Sequence, residues 1–158
     1  MKIGQKITNF VEELAKLAVG ISLLVIVVIA GLQIFCRFIW KIPLIWSEEL
    51  LRYLFIWTSF LGASLALKYG EHIGLEFFKS SLPEKSKQIL TFINESLIII
   101  FLVVIIKEGA YLSIFNLSQL SPAMRIPMGC IYLSIPFAAL LMAIECLNSI
   151  VNEFRKRE

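Results

Sequence analysis

The sequence predicts an all-α integral membrane protein, a four-helix bundle with a short interfacial segment between its first and second spans. Three observations predict it. Of 158 residues, 58% are hydrophobic and 17% charged, against about 25% charged in soluble domains, and the mean hydropathy is +0.82. The apolar residues gather into four runs of membrane-spanning length. The tracts between the runs are short and hold most of the charge, so residues 1–158 read as one membrane domain with no separate soluble domain expected. The inventory also excludes chemistry. Aspartate is absent and His72 is the single histidine, which removes Asp dyads and multi-histidine metal or haem sites. Cys36, Cys130 and Cys146 form no C-x-x-C pair, so neither a zinc knuckle nor a thiol redox motif is written here. They read as free thiols behaving as small apolar residues, with a bridge between Cys36 and Cys130, near the same membrane face, the geometrically conceivable alternative. No enzyme and no cofactor is expected, and nothing points to nucleic acid.

The first span is Leu17–Phe35, interrupted only by Gly20, Ser22, Gly31 and Gln33, long enough for a hydrocarbon core of about 30 Å at 1.5 Å per residue. A signal peptide would carry a shorter apolar region and a small-residue cleavage site; Gln33-Ile34-Phe35-Cys36-Arg37 supplies none. Lys41–Glu49 is too short and too charged to span, so it is expected to lie at the interface and turn into the second helix. Ser47 is the expected N-cap, with Glu48 and Glu49 in the first turn, where the helix dipole favours negative charge. Leu50–Leu67 is the second span. Leu82-Pro83-Glu84-Lys85 reads as a turn opening a helix with proline near its start, and Ile89–Ile106 is the third span. Met128–Val151 is the fourth, where Pro136 predicts a kink. The connections are then 36–49, 68–88 and 107–127. An even number of spans puts both termini on one side, and that side carries ten basic residues (among them Lys2, Lys6, Lys16, Lys68, Lys79 and Arg155) against five. By the positive-inside rule the termini and the 68–88 loop are cytoplasmic, and Trp40 and Trp46 anchor the outer interface.

Four polar or small-residue groups need a reason. Glu48 and Glu49 precede Arg52 by four and three residues, so on a helix both can reach its guanidinium, and Arg37 lies at the same depth. This is either a helix-end salt bridge or a cluster that also meets another chain. Glu95 and Glu145 each stand roughly 9 Å inside the terminal ends of their helices. Pairing with Lys16 or Lys68, or snorkelling, is the structural reading; a proton or ion relay is the sharper one, and a relay would continue deeper. Asn94 and Asn148 beside them can bond between helices. Ser59, Gly62, Ala63 and Ala66 recur on one face of the second span, a face without bulk that allows close helix packing within the chain or against another.

Two blocks resemble one family. Arg37, Trp46-Ser47-Glu48-Glu49-Leu50-Leu51-Arg52-Tyr53, Ile56-Trp57, Gly62-Ala63 and Glu71-His72-Ile73 form the first. Ser121-Pro122-Ala123-Met124-Arg125-Ile126-Pro127, Tyr132-Leu133 and Ile135-Pro136 form the second. Together they resemble the small membrane subunit of tripartite ATP-independent periplasmic (TRAP) transporters, over about two-fifths of the chain. The resemblance implies a bacterial inner-membrane protein that braces a large multi-span subunit, carried on a second polypeptide, and works with a periplasmic solute-binding protein. It implies sodium-driven uptake of organic anions such as C4-dicarboxylates or sialic acid, with the substrate and sodium sites in the large subunit. Arg37, Trp46, Glu48, Glu49, Arg52 and the Ser59, Gly62, Ala63, Ala66 face are then the expected partner contacts, and Asn94, Glu95, Glu145 and Asn148 are structural. A freestanding four-span exporter or oligomeric channel is the alternative, although the small exporters carry an essential glutamate in the first span, where this chain has none.

Overall fold

A backbone in hydrocarbon must close its hydrogen bonds internally, and a helix does so within one segment. The computed structural model describes residues 2–69 and 84–155, which are almost wholly helical. Helix α1 spans Lys2–Phe35 and runs on through a π-type turn at Cys36–Trp40; α2 is Ile45–Tyr69, α3 Glu84–Phe115, α4 Met128–Tyr132 and α5 Ser134–Arg155. Four stretches are long and apolar enough to cross a membrane: Phe10–Trp40, Ile45–Leu67, Phe92–Phe115 and Met128–Asn148. His72, Lys79 and the Leu82-Pro83 turn lie outside the described residues.

At the end of the bundle away from the termini the helices overrun the expected spans. The first helical run continues to Trp40 and the third to Phe115, so the connections shrink to 41–44 and 116–127. The cause is local: Phe38, Ile39 and Trp40, and likewise Tyr111, Leu112, Ile114 and Phe115, extend the apolar pattern with no proline to stop it. Lys107 and Glu108 do not interrupt α3, since both are good helix formers and their side chains are exposed, 3.4 Å apart. The first run stops at Lys41, whose φ of 58° is left-handed, with Ile42 N–H donating to the Cys36 carbonyl at 3.1 Å and Pro43 unable to continue a helix.

One expectation is corrected. Ser47 is not the N-cap of α2. It lies inside the first turn, fully buried, and its hydroxyl donates to the Leu44 carbonyl at 2.7 Å instead of accepting from the helix amides. Pro136 marks a break in the fourth span, as its missing donor predicts. The span is divided at Leu133 into α4 and α5, and Pro136 sits in the first turn of α5. The N–H it lacks is the one that would have bonded the Tyr132 carbonyl, so the ladder breaks there.

The helices pack in a row: α1 on α2, α2 on α5, α5 on α3, with α4 wedged against α3. Two glycines set the closest approaches. A Cβ on Gly109 would stand 3.0 Å from both Ile135 and Pro136, and one on Gly129 would run into the Ser113 carbonyl and Leu117. Ser113 confirms the contact, donating to the Gly129 carbonyl at 2.7 Å. Trp57 meets Phe137 with ring centroids 6.2 Å apart, joining α2 to α5. The outward surface is apolar, with Leu24, Val27, Phe55, Ile100 and Phe101 among many large exposed side chains, as lipid permits and water would not.

Candidate functional site

The site is built where the start of α2 meets the 116–127 loop. Glu49 is the joint. Its carboxylate accepts from the Ser121 hydroxyl at 3.0 Å, from Ala123 N–H at 2.9 Å and from Met124 N–H at 2.9 Å. Two adjacent amides and a hydroxyl aimed at one carboxylate are charge-assisted bonds, the stronger kind. The loop closes on itself as well. Ser121 N–H donates to the Ile126 carbonyl at 2.9 Å and Met128 N–H to the Gln119 carbonyl at 2.8 Å, Leu120 and Pro127 form an isolated bridge, and Ile126 N–H donates to the Ser121 hydroxyl at 3.2 Å. Ser121 is 1% exposed and links loop and carboxylate. Tyr53, one turn further along α2, is buried and donates to Met128 Sδ at 3.5 Å. The two motif blocks therefore meet in space, through Glu49 and Tyr53 on one side and residues 121–128 on the other.

The expected acid–base cluster comes apart. Arg52 lies within electrostatic reach of Glu49, but the ion pairs given by the described side chains at this end amount to Lys107 with Glu108, and none joins Arg52 to Glu48 or Glu49. Glu49 turns inward to the loop, while Arg37, Trp46, Glu48 and Arg52 are exposed. On α2, Ser59, Ala63 and Ala66 are exposed and Gly62 is half-buried; a Cβ on Gly62 would touch nothing within 4 Å. That small face looks away from this chain's own helices, whose packing uses Tyr53, Leu61 and Ser64 instead.

Near the terminal ends, Glu95 of α3 is 3% exposed and Glu145 of α5 half-buried. Asn94, Glu95 and Glu145 are each engaged in an interaction and none is free, while Asn148 is exposed. Lys16 bonds Glu12 at 2.7 Å and Glu13 at 3.1 Å. A cavity of about 300 Å³ opens between α1, α2 and α5, lined by apolar side chains together with Glu12 and Glu145. Buried hydroxyls elsewhere bond carbonyls three residues back: Ser64 donates to Leu61 within α2, and Ser134 of α5 to Ile131 of α4, each at 2.7 Å. Thr58 Oγ1 is buried without a partner among the described residues.

Sequence reasoning missed Gly109 and Gly129, and the true partner of Glu49. Ser121-Pro122 marks a turn, but no spacing rule links it to a carboxylate 72 residues earlier in the chain.

Comparison with known proteins bears on this arrangement. The family described as the DctQ component of tripartite ATP-independent periplasmic transporters matches residues 26–156. A putative TRAP transporter small permease protein of Haemophilus influenzae is 32% identical over 107 residues, which is 67% of this chain and 66% of that protein. The sialic acid TRAP transporter small permease protein SiaQ of Vibrio cholerae is 28% identical over 152 residues, 96% of this chain and 86% of that one. The sialic acid TRAP transporter permease protein SiaT of a second Haemophilus influenzae strain is 34% identical over 77 residues, 49% of this chain but 12% of that much longer protein.

Proposed function

The chain belongs to the family of DctQ components of tripartite ATP-independent periplasmic transporters, and from that premise we propose that it braces the large transport subunit in the bacterial inner membrane and helps a periplasmic solute-binding protein dock. As a family member it is a multi-pass membrane component of a transporter, associated with the large permease subunit, and not an enzyme. The further reading is sodium-driven uptake of organic anions of the sialic acid or C4-dicarboxylate class, with termini and the 68–88 segment cytoplasmic and the Glu49-bound loop periplasmic. Family membership favours this over a freestanding exporter or channel.

The observation that carries the reading is the division of labour among polar and small groups. Of those inside the bundle, Ser113 joins α3 to α4 and Glu49 and Ser121 join α2 to the loop, while Ser47, Ser64 and Ser134 bond within a turn of themselves. The small face of Ser59, Gly62, Ala63 and Ala66 is left open on the outside, where close packing is the main source of helix association in lipid. A subunit so arranged suits a brace. Arg37, Trp46, Glu48 and Arg52 are the proposed contacts at the loop end, and Glu49 contributes through the loop it holds.

Reconstitution tests this. Liposomes holding this chain and the large subunit should take up substrate only with the binding protein and an inward sodium gradient, while liposomes holding this chain alone should take up none. Uptake by this chain alone would refute the proposal.

A further inference from the structure

One residue of the loop is held in a conformation that its side chain does not favour. Arg125 has a φ of 56°, the left-handed region, where a long L side chain is strained and glycine or asparagine is at ease. The turn needs that dihedral; it has no use for a guanidinium. The bonds that close the loop run through Ser121, Ala123, Met124 and Ile126, and the Arg125 side chain is exposed with no bond or ion pair to the described residues. Strain retained at an exposed position, in a loop pinned on both sides, marks a side chain kept for something outside the chain.

Charge narrows what that is. With Glu49 turned onto loop amides and Lys107 paired with Glu108, the other exposed charged side chains at this end of the bundle are Arg37, Lys41, Arg52 and Arg125 against Glu48, a surface of net positive charge. A rigidly presented guanidinium suits a planar carboxylate, which it can grip with two parallel bonds, and a fixed loop lowers the ordering cost of docking. A fluid lipid headgroup gains nothing from a fixed loop. We propose that Arg125, on the loop that Glu49 holds, is a contact through which this end of the subunit engages an acidic patch on the water-soluble binding protein. The inference rests on the docking reading given above and assigns it a residue.

The test uses the complete complex of this chain and the large subunit in nanodiscs, with the purified cognate binding protein as probe and association followed by surface plasmon resonance. Arg125→Gly relieves the backbone strain, so thermal stability should hold or rise and co-purification of the large subunit should be unchanged. Affinity for the binding protein should nonetheless fall about tenfold, mostly in the association rate, with a weaker dependence on salt. Arg125→Glu should lower it further. Wild-type affinity in Arg125→Gly would overturn the assignment of Arg125 and leave the docking reading standing. Absence of binding by the wild-type complex would take down the docking reading and this inference with it. Nanodiscs of phosphatidylcholine alone, and of phosphatidylcholine with phosphatidylglycerol, separate the remaining source. A loss confined to the anionic bilayer means a headgroup contact and overturns the proposal; an equal loss in both supports it.

Discussion

A carboxylate that accepts from two backbone amides and a hydroxyl cannot be replaced by an amide without turning a donor toward a donor. Glu49→Gln should therefore release the loop while leaving the helices intact. Hydrogen exchange at the Ala123 and Met124 amides should speed up by about tenfold or more, whereas Glu48→Gln, at an exposed neighbour, should leave it unchanged; equal exchange in the two variants would show that the loop's own bonds suffice. Ser121→Ala should fall between, since it removes one bond to Glu49 and the acceptor for Ile126 N–H together. Helix-local rules mark Glu49 as an acid in a first turn, within reach of Arg52. Its actual choice depends on two amides 74 and 75 residues further along the chain, which no local pattern carries.

Among the elements, the two kinds of glycine separate packing within the chain from packing against a partner. Gly129 stands against the Ser113 backbone and Leu117, so Gly129→Ala should destabilise the isolated chain by about 1–3 kcal/mol, the usual range for overpacking, read as a lower melting temperature in detergent. Gly62 has open space where its Cβ would be. Gly62→Leu should leave the isolated chain as stable as before and reduce co-purification of the large subunit; retained co-purification with full uptake would show that this face looks at lipid. Periodicity made the small stripe visible on α2 but could not say what it faces. The break in the fourth span was legible: Pro136 announced it, and its place near Leu133 follows from the bond to the Tyr132 carbonyl that proline cannot make.

For the whole molecule, orientation is the prediction that matters most. With the three native cysteines replaced by alanine, a cysteine at Ser118 in the 116–127 loop should react with an impermeant thiol reagent added to intact spheroplasts, and one at Lys79 should not; the reverse pattern would invert the proposed topology. The sequence by itself determined that the chain is helical, how many times it can cross and roughly where, because hydrocarbon imposes a length and a composition on every span and both are local properties. It also placed the two blocks whose residues build the loop end. Only the tertiary structure decided that the helices lie in a row, that the small face of α2 looks outward, that Glu49 binds a distant loop rather than Arg52, and that Arg125 is held strained and exposed. The physical reason is that lipid is as apolar as the side chains, so hydrophobic pattern cannot tell a partner-facing side of a helix from a lipid-facing one. That choice is made by shape and by hydrogen bonds between residues far apart in the chain.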